Sequence, residues 1–263
     1  FPQDVVPLLY TPNDYGTAGG YPEDQPELEL INARQAWDIN PSGASIGITD
    51  TGFRLTHEDL QNIIGALANT PYGSHDHGTA VAGIVAETDN NVGIASVGFN
   101  STVLVSSEWG YALEVQRLAE QGVRVINLSW GGCIPNHFED SIYQDVINNG
   151  TVIVAGAGNG THTLGGGCAP KGNGYFYPAS YDNILSVSSV GHKHPVGTVD
   201  SINRMDVHDL YPDTSGTYTF THNDKVDIVA PGYDVLTLKP YDPADTIGYY
   251  YERGTSLSAP FVA

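Results

Sequence analysis

Three short segments of this chain each place a chemically active side chain within two residues of a glycine. They are Asp50-Thr51-Gly52, His77-Gly78-Thr79 and Gly254-Thr255-Ser256. A serine hydroxyl becomes a useful nucleophile when an imidazole removes its proton and a carboxylate orients that imidazole. The glycines let the backbone approach a substrate closely. The set predicts acyl transfer by Asp50, His77 and Ser256.

A fourth candidate is Asn159, which lies in the glycine-rich segment Gly156-Ala157-Gly158-Asn159-Gly160. Its side-chain amide can donate hydrogen bonds to the oxyanion of a tetrahedral intermediate. Ser256 precedes Leu257-Ser258-Ala259, a sequence that fits the start of a helix, where free N–H groups favour a developing negative charge. We therefore expect an oxyanion site near Ser256 and Asn159.

Each of these residues also has an ordinary structural interpretation. Asp50 could cap a turn, His77 could be a buried packing residue, and Ser256 is one serine among many. The segment His75-Asp76-His77 could belong to a zinc site, although no second group of ligands stands at a suitable spacing. The other histidines, His57 among them, are predicted to lie on the surface. Acyl transfer explains the set better than separate structural roles do.

Short apolar strands alternate with helices along most of the chain, and these elements must position the active side chains. The predicted strands are 45–49, 103–106, 123–128, 151–155, 184–190 and 226–229, and the predicted helices are 28–37, 78–86, 112–121 and 138–148. This alternation predicts an α/β fold, a doubly wound and mostly parallel sheet with helices on both faces. In such sheets the chemistry lies at the carboxyl ends of the strands.

The composition of the 263 residues excludes several classes of protein. Hydrophobic residues make up 40% and charged residues 15%, which is typical of a folded domain. A formal net charge of -20 argues against a nucleic-acid partner, because phosphate binding requires cationic side chains. Apolar runs such as 80–86 are far shorter than the ~18 residues of a membrane helix, so no membrane partner is expected. Residues 1–27 are predicted to form an N-terminal arm, and residues 28–263 one domain.

The three motifs resemble the active-site motifs of the subtilisin-like serine peptidases, the subtilase family. The similar stretches are 48–52, 77–83 and 254–260, in that family's chain order of Asp, His and Ser. The resemblance implies a secreted serine endopeptidase with a subtilisin-like fold that works through an acyl-enzyme. In this resemblance Asp50 orients His77, His77 is the general base and acid, Ser256 is the nucleophile, and Asn159 lies in the oxyanion hole.

The resemblance also implies a substrate and a metal. Ser129, Trp130 and Gly131 resemble the family strand that pairs with an extended peptide or protein substrate. Residues 88–94 are similar to a family loop that binds Ca²⁺, an ion that takes about six to eight oxygen ligands. The implied structural Ca²⁺ is held by the side chains of Asp59, Asn90 and Asp24 and by the carbonyl oxygens of Thr88, Val92 and Ile94. An ordinary turn rich in Asp and Asn is the alternative.

The chain departs from the family pattern in three places. Residues 106–111 lack the family's Gly-Ser-Gly edge strand, so the substrate is expected to be held on one side only, or by Trp109 or Tyr111. Residues 165–177 and 195–224 have the character of insertions. The chain ends at Ala263, where the family continues the Ser256 helix, so we expect the remainder to be a separate C-terminal fragment, to have been cleaved off or not to be included in this sequence. The resemblance also implies a propeptide.

Cys133 and Cys168 could form a disulfide, contribute to a zinc site or remain free thiols, and neither lies in a CxxC motif. Cys133 follows the Trp130 strand and Cys168 lies in the first insertion. Because neighbouring strands are ~4.8 Å apart, we expect a disulfide between these loops in a secreted protein.

Phe176 falls near the floor of the family's primary specificity pocket, and its bulk predicts a small or shallow pocket. Two other functions stay open on the sequence alone. One is a peptide-binding pseudoenzyme of the same fold that does not cleave, and the other is a metal hydrolase built on His75 and His77.

Overall fold

The computed structural model describes residues 12, 14–15, 25–39, 43–61, 63–66, 77–85, 93–98, 100–159, 168, 174–193, 203–205, 212–213, 216–217, 220–221, 223–240 and 248–263. The helices in these ranges are α1 (Pro26–Leu30), α2 (Ala33–Ile39), α3 (His77–Val85), α4 (Ala112–Glu120), α5 (His137–Asn148) and α6 (Thr255–Val262). The strands are β1 (Ser45–Thr49), β2 (Ile63–Ala66), β3 (Thr102–Ser106), β4 (Val125–Leu128), β5 (Val152–Gly156), β6 (Leu185–Lys193), β7 (Asn203–Met205), β8 (Pro212–Asp213), β9 (Gly216–Thr217), β10 (Ile228–Pro231), β11 (Val235–Leu238) and β12 (Tyr249–Glu252).

Most of these strands belong to one sheet with the order β10-β6-β5-β4-β1-β3-β2. Every neighbouring pair in this order is parallel. Strand β7 adds to β6 in the antiparallel sense, and β11 pairs with β12 in a separate antiparallel sheet. The predicted fold class, a doubly wound and mostly parallel α/β sheet, is confirmed.

Successive residues of β1 face opposite sides of the sheet, as the strand period of two requires. Ile46 and Ile48 pack into an apolar cluster with α3 and α6. Gly47 lies between them and faces the α4 side, where a Cβ atom would stand only 3.2 Å from Leu118 Cδ1. Helices α4 and α5 contribute to a second buried cluster with β4 and β5. Helices therefore cover both faces of the sheet.

The carboxyl ends of the central strands carry the candidate site residues. Asp50 follows β1, Ser129 follows β4, and Asn159 lies shortly after β5. His77 begins α3, and Ser256 is the second residue of α6. The Thr237 hydroxyl of β11 donates to the Ala80 carbonyl at 2.6 Å, which fixes α3 against the β11–β12 pair.

Strand β1 has the predicted bounds, and the other predicted strands agree to within three residues at either end. The single helix predicted over 28–37 is wrong, because the structure has α1 and α2 there instead. Asn32 between them has φ 56°, a left-handed conformation that a right-handed helix cannot continue through. Leu28, Ala33 and Trp37 nevertheless pack into one buried cluster.

The described part of the chain contains no helix that is both long enough and apolar enough to cross a bilayer. Most of the two predicted insertions, 165–177 and 195–224, lies outside the described residues. The N-terminal arm is described only at residues 12, 14–15 and 25–27, and α1 begins inside it at Pro26.

Candidate active site

Asp50 and His77 form a direct pair at the carboxyl end of β1. His77 Nδ1 donates to Asp50 Oδ1 at 2.8 Å, and the Asp50 side chain is almost fully buried. The Thr51 backbone N–H also donates to Asp50 Oδ1, at 2.7 Å. Thr51 Oγ1 accepts from the His77 backbone N–H at 3.2 Å, which ties the start of α3 to the turn after β1. These contacts fix the ring orientation and leave Nε2 as the nitrogen that can accept a proton.

Opposing influences set the basicity of His77. Burial by itself lowers the pKa of His77, because it disfavours the charged imidazolium. The charge of Asp50 and the hydrogen bond to it raise the pKa, and the charge of Glu252 on β12 raises it further. The net pKa lies above the usual value for histidine. The surroundings therefore stabilise an imidazolium, which a general base becomes during the reaction.

Ser256 lies at the start of α6 and is linked to Ser129 by two hydrogen bonds. Ser256 Oγ donates to the Ser129 carbonyl at 3.1 Å, and Ser129 Oγ donates to the Ser256 carbonyl at 2.8 Å. Ser129 is held in turn by the buried Asn127, whose Nδ2 donates to Ser129 Oγ at 2.9 Å. Among the described residues no hydrogen bond joins Ser256 to His77. The segment that follows β4 therefore positions Ser256, the candidate nucleophile.

Asn159 is oriented by the residue that precedes Ser256. Its Oδ1 accepts from the Thr255 backbone N–H at 2.9 Å and from Thr255 Oγ1 at 3.3 Å. Thr255 Oγ1 also accepts from the Gly158 N–H at 3.1 Å. These hydrogen bonds connect the start of α6 with the segment that follows β5. Because its oxygen is used in this way, the amide nitrogen of Asn159 is the group left to donate to a ligand.

The predicted substrate strand of Ser129, Trp130 and Gly131 is held firmly by its neighbours. Trp130 Nε1 donates to the Thr49 carbonyl at 3.0 Å, and Gly132 exchanges two backbone hydrogen bonds with Tyr177, each of 2.7 Å. The predicted disulfide between Cys133 and Cys168 is confirmed, with their Cα atoms 5.0 Å apart. It links the segment after the substrate strand to the loop beyond Asn159.

The predicted calcium ligands are only partly visible, since Asp24, Thr88, Asn90 and Val92 lie outside the described residues. Asp59 is fully buried, its Oδ1 has no hydrogen-bond partner, and its Oδ2 accepts from the Ile94 N–H at 3.3 Å. Burial raises the pKa of Asp59 to about 7, although hydrogen bonds from Tyr249 and Ile94 oppose the rise. A buried carboxylate with an unused oxygen fits a bound cation. Within the described ranges, no three His, Cys, Asp or Glu side chains could hold a metal together.

Two residues near Asp59, His57 and Asp14, are buried although the sequence does not indicate it. His57, predicted to lie on the surface, is in fact buried, because its Nδ1 accepts from the Asp59 N–H at 3.2 Å and its Nε2 bonds the Gly248 carbonyl at 2.9 Å. Asp14 in the N-terminal arm is fully buried, and its charge raises the pKa of Asp59. No sequence signal separates Asp14 from the other carboxylates of the arm, including Asp24.

Two further residues of the active-site region act through interactions that the sequence alone does not show. Glu252 influences His77 through its charge, and its Oε1 accepts from the Arg253 N–H at 2.8 Å. Thr255 orients Asn159, although its place in the Gly254-Thr255-Ser256 motif could have drawn attention to it. The charge effect of Glu252 on His77 and the hydrogen bond between Thr255 and Asn159 each join segments that are far apart along the chain.

A parallel α/β sheet that carries an Asp–His pair, a helix-start serine and an oriented amide at its carboxyl edge is typical of a serine hydrolase. Comparison with known proteins makes this class specific. The subtilase family profile matches residues 41–263, so the chain belongs to the subtilase family. It is a subtilisin-like serine endopeptidase.

Thermitase from Thermoactinomyces vulgaris is 32% identical over 97% of this chain and 83% of its own length. The thermophilic serine proteinase of Bacillus sp. (strain AK1) is 31% identical, and the alignment covers all of this chain and 60% of that protein. The crystal structure of fervidolysin from Fervidobacterium pennivorans superposes with a TM-score of 0.70 at 23% identity and covers 96% of this chain and 40% of that one. This last likeness supports the fold.

Proposed function

We propose that this endopeptidase cleaves peptide bonds through an acyl-enzyme, with Ser256 as nucleophile, His77 as general base and acid, Asp50 as its orienting carboxylate and Asn159 as oxyanion donor. The observation that carries the proposal is the 2.8 Å contact between His77 Nδ1 and Asp50 Oδ1. It fixes the imidazole tautomer and leaves Nε2 to act as the base.

The first half of the reaction forms the acyl-enzyme. Rotation about the Ser256 Cα–Cβ bond moves Oγ from the Ser129 carbonyl towards His77 Nε2, a change that substrate binding can bring about. Oγ attacks the scissile carbonyl carbon while Nε2 takes its proton. The carbonyl oxygen becomes an oxyanion, which accepts from Asn159 Nδ2 and from the Ser256 backbone N–H. His77 then gives its proton to the departing amine, and the C–N bond breaks.

The second half restores the enzyme. A water molecule gives a proton to His77 Nε2 and attacks the acyl carbon, so the same oxyanion donors act again. Collapse of this intermediate breaks the ester bond, and His77 returns the proton to Ser256 Oγ. Asp50 stays ionised throughout and stabilises each imidazolium.

The substrate in this proposal is an extended peptide or protein segment that pairs with Ser129, Trp130 and Gly131 as an added strand. Strand β3 ends beside Asp50, since the Asp50 N–H donates to the Ser106 carbonyl at 3.0 Å. Trp109 and Tyr111, which follow β3, are largely exposed and could contact the other edge of the peptide. The Cys133–Cys168 disulfide supports a secreted location, because disulfides persist in oxidising compartments.

Serine-directed chemical labelling tests the function directly. A phosphonofluoridate should add once to the folded protein, and peptide mapping should place the adduct on Ser256, because an ordinary serine does not react. Ser256→Ala should give no adduct. Folded protein that remains unlabelled would overturn the proposal and favour the peptide-binding pseudoenzyme.

The pH profile should depend on Glu252. Because the Glu252 charge raises the pKa of His77, Glu252→Gln should lower that pKa and shift the acidic limb of kcat/KM to lower pH. The matched control is Glu120→Gln, which removes the same charge from the exposed end of α4. An acidic limb that stays in place or moves to higher pH would contradict this role of Glu252.

Calcium, in this proposal, neutralises the buried Asp59 carboxylate and thereby stabilises the fold. Asp59 and the Ile94 carbonyl would bind it together with the predicted ligands Asn90, Thr88 and Val92, and the arm would contribute Asp24 or the buried Asp14. Calcium at 1,000 times its Kd would add ~4 kcal/mol to the free energy of unfolding, which corresponds to roughly 10 °C in Tm.

Calorimetry with and without EDTA measures this effect. Chelation should lower the Tm of the unmodified protein, whereas Asp59→Asn should show no calcium-dependent change. The variant should melt no lower than the unmodified protein in EDTA, since it no longer buries a carboxylate. Asp145→Asn on the exposed side of α5 should keep the full calcium effect. If EDTA leaves the Tm of the unmodified protein unchanged, the calcium site at Asp59 is excluded.

A further inference from the structure

The segments that follow β4 and β5 form the two walls of a slot beside Ser256. One wall is the segment after β4, where the Ser129 carbonyl accepts from Ser256 Oγ at 3.1 Å. The other is the segment after β5, where Asn159 Oδ1 accepts from the Thr255 N–H at 2.9 Å. In the proposed reaction Ser256 and the Asn159 amide bind the carbonyl group of the scissile bond, and each is held by one of these walls. We therefore place the residue that carries this carbonyl between the two walls.

The Phe176 ring occupies this slot. A Cβ atom placed on Gly131, in the first wall, would stand 2.6 Å from Phe176 Cε1. A Cβ atom placed on Gly158, in the second wall, would stand 3.0 Å from Phe176 Cγ. The first distance is shorter than real side-chain contacts and the second is tighter than most of them, so the ring packs closely against the backbone of both walls. The space that the two glycines leave open is therefore filled by the protein's own phenyl ring.

The backbone that carries this ring is anchored on both sides. The Phe176 N–H donates to Ser180 Oγ at 3.0 Å, and the Phe176 carbonyl accepts from the Ser180 N–H at 2.8 Å. The next residue, Tyr177, is paired through two backbone hydrogen bonds with Gly132 of the first wall. A substrate side chain that needed the space of the ring would have to displace it from a fixed backbone and from its packing against both glycines.

We propose that Phe176 limits the depth of this slot and restricts the residue on the acyl side of the scissile bond to small side chains, namely glycine, alanine and serine. The inference rests on the proposed function of Ser256 and Asn159 and names the substrate class of that site. Apolar pockets discriminate by roughly 10- to 200-fold per methylene group. A leucine or phenylalanine at that position is therefore expected to be cleaved at least ~100-fold less efficiently than alanine.

The test uses peptide anilides that differ only in the residue before the scissile bond, which is alanine, leucine or phenylalanine. The unmodified protein should prefer alanine at least ~100-fold in kcat/KM. Phe176→Ala should raise kcat/KM for the phenylalanine substrate by a similar factor, and Phe176→Leu should give an intermediate ratio. The matched control is Phe138→Ala on α5, because Phe138 is 67% exposed and the change should leave the ratio unaltered.

The substrate preference of the unmodified protein tests the proposal even if a Phe176 variant fails to fold. Equal or better cleavage of the phenylalanine substrate would overturn this inference. Labelling separates this result from failure of the underlying function, because protein that reacts at Ser256 but accepts large side chains overturns only the role of Phe176. Protein that does not react at Ser256 overturns the proposed function itself. A Phe176→Ala variant that folds and keeps the alanine preference also contradicts the proposal.

Discussion

Ser256→Ala is expected to lower kcat by about 10⁶-fold, the size of loss known for the nucleophile of a subtilisin and taken from that enzyme rather than from this geometry. The loss follows from chemistry, since no other atom of the site replaces Oγ in forming the acyl bond. Binding of substrate should change little, because Ser129 and Asn159 keep their positions. Single-turnover assays with a peptide anilide would measure the residual rate.

The same variant should remain folded. It loses the hydrogen bond from Ser256 Oγ to the Ser129 carbonyl, which is worth about 1 kcal/mol. In a chain of this size, that corresponds to a Tm change of about 2–4 °C. Ser141→Ala is the matched control, because the exposed Ser141 hydroxyl also donates to a backbone carbonyl, that of Phe138, at 2.7 Å. A Ser256→Ala protein that keeps a tenth of the activity would contradict its role as nucleophile.

Removal of the Asn159 amide donor should give the second large effect. A loss of ~10²- to 10³-fold in kcat is known for one oxyanion-hole donor, the equivalent amide of subtilisin, and the figure is taken from that enzyme. KM should change much less, because the donor acts on charge that develops only in the transition state. Steady-state kinetics on one peptide anilide separates the two parameters.

The choice of variant matters, because Asn159 also has a structural contact. Its Oδ1 accepts from the Thr255 N–H at the start of α6, so Asn159→Ala would remove both functions at once. Asn159→Asp keeps an oxygen for Thr255 and replaces the donor by a carboxylate oxygen, whose charge also opposes an oxyanion. The variant should retain its Tm while kcat falls by at least the same factor. Asn136→Asp is the matched control, because the exposed Asn136 also accepts from a backbone N–H through Oδ1, that of Phe138 at 3.0 Å. Normal kcat in folded Asn159→Asp would exclude the oxyanion role.

Local pattern in the sequence was enough to predict the fold class and the elements that carry the site. Strand β1 is an apolar run followed by Asp50, and its predicted bounds agree with the structure. Parallel strands place their carboxyl ends along one edge, so the sequence predicts Asp50, Ser129 and Asn159 at that edge. The prediction succeeded because strand period and chain direction are properties of short segments.

The conformation of single residues was harder to predict, because it depends on what packs around them. Asn32 adopts φ 56° and divides a helix that the apolar spacing alone made continuous. His57 is buried by contacts to Asp59 and Gly248, the second of which is 191 residues away along the chain. Neither feature is settled locally, because asparagine tolerates a left-handed φ without requiring it and the Gly248 contact of His57 comes from a distant segment.

Residue types and their spacing indicate which side chains could do the chemistry and along which edge of the sheet they lie. The tertiary structure sets how the site is tuned. It brought the charge of Glu252 to His77, used Thr255 to turn the Asn159 oxygen inwards, and set the Phe176 ring against Gly131 and Gly158. The physical reason is that charge effects, hydrogen bonds and close packing act over a few ångströms between atoms, whatever their separation along the chain.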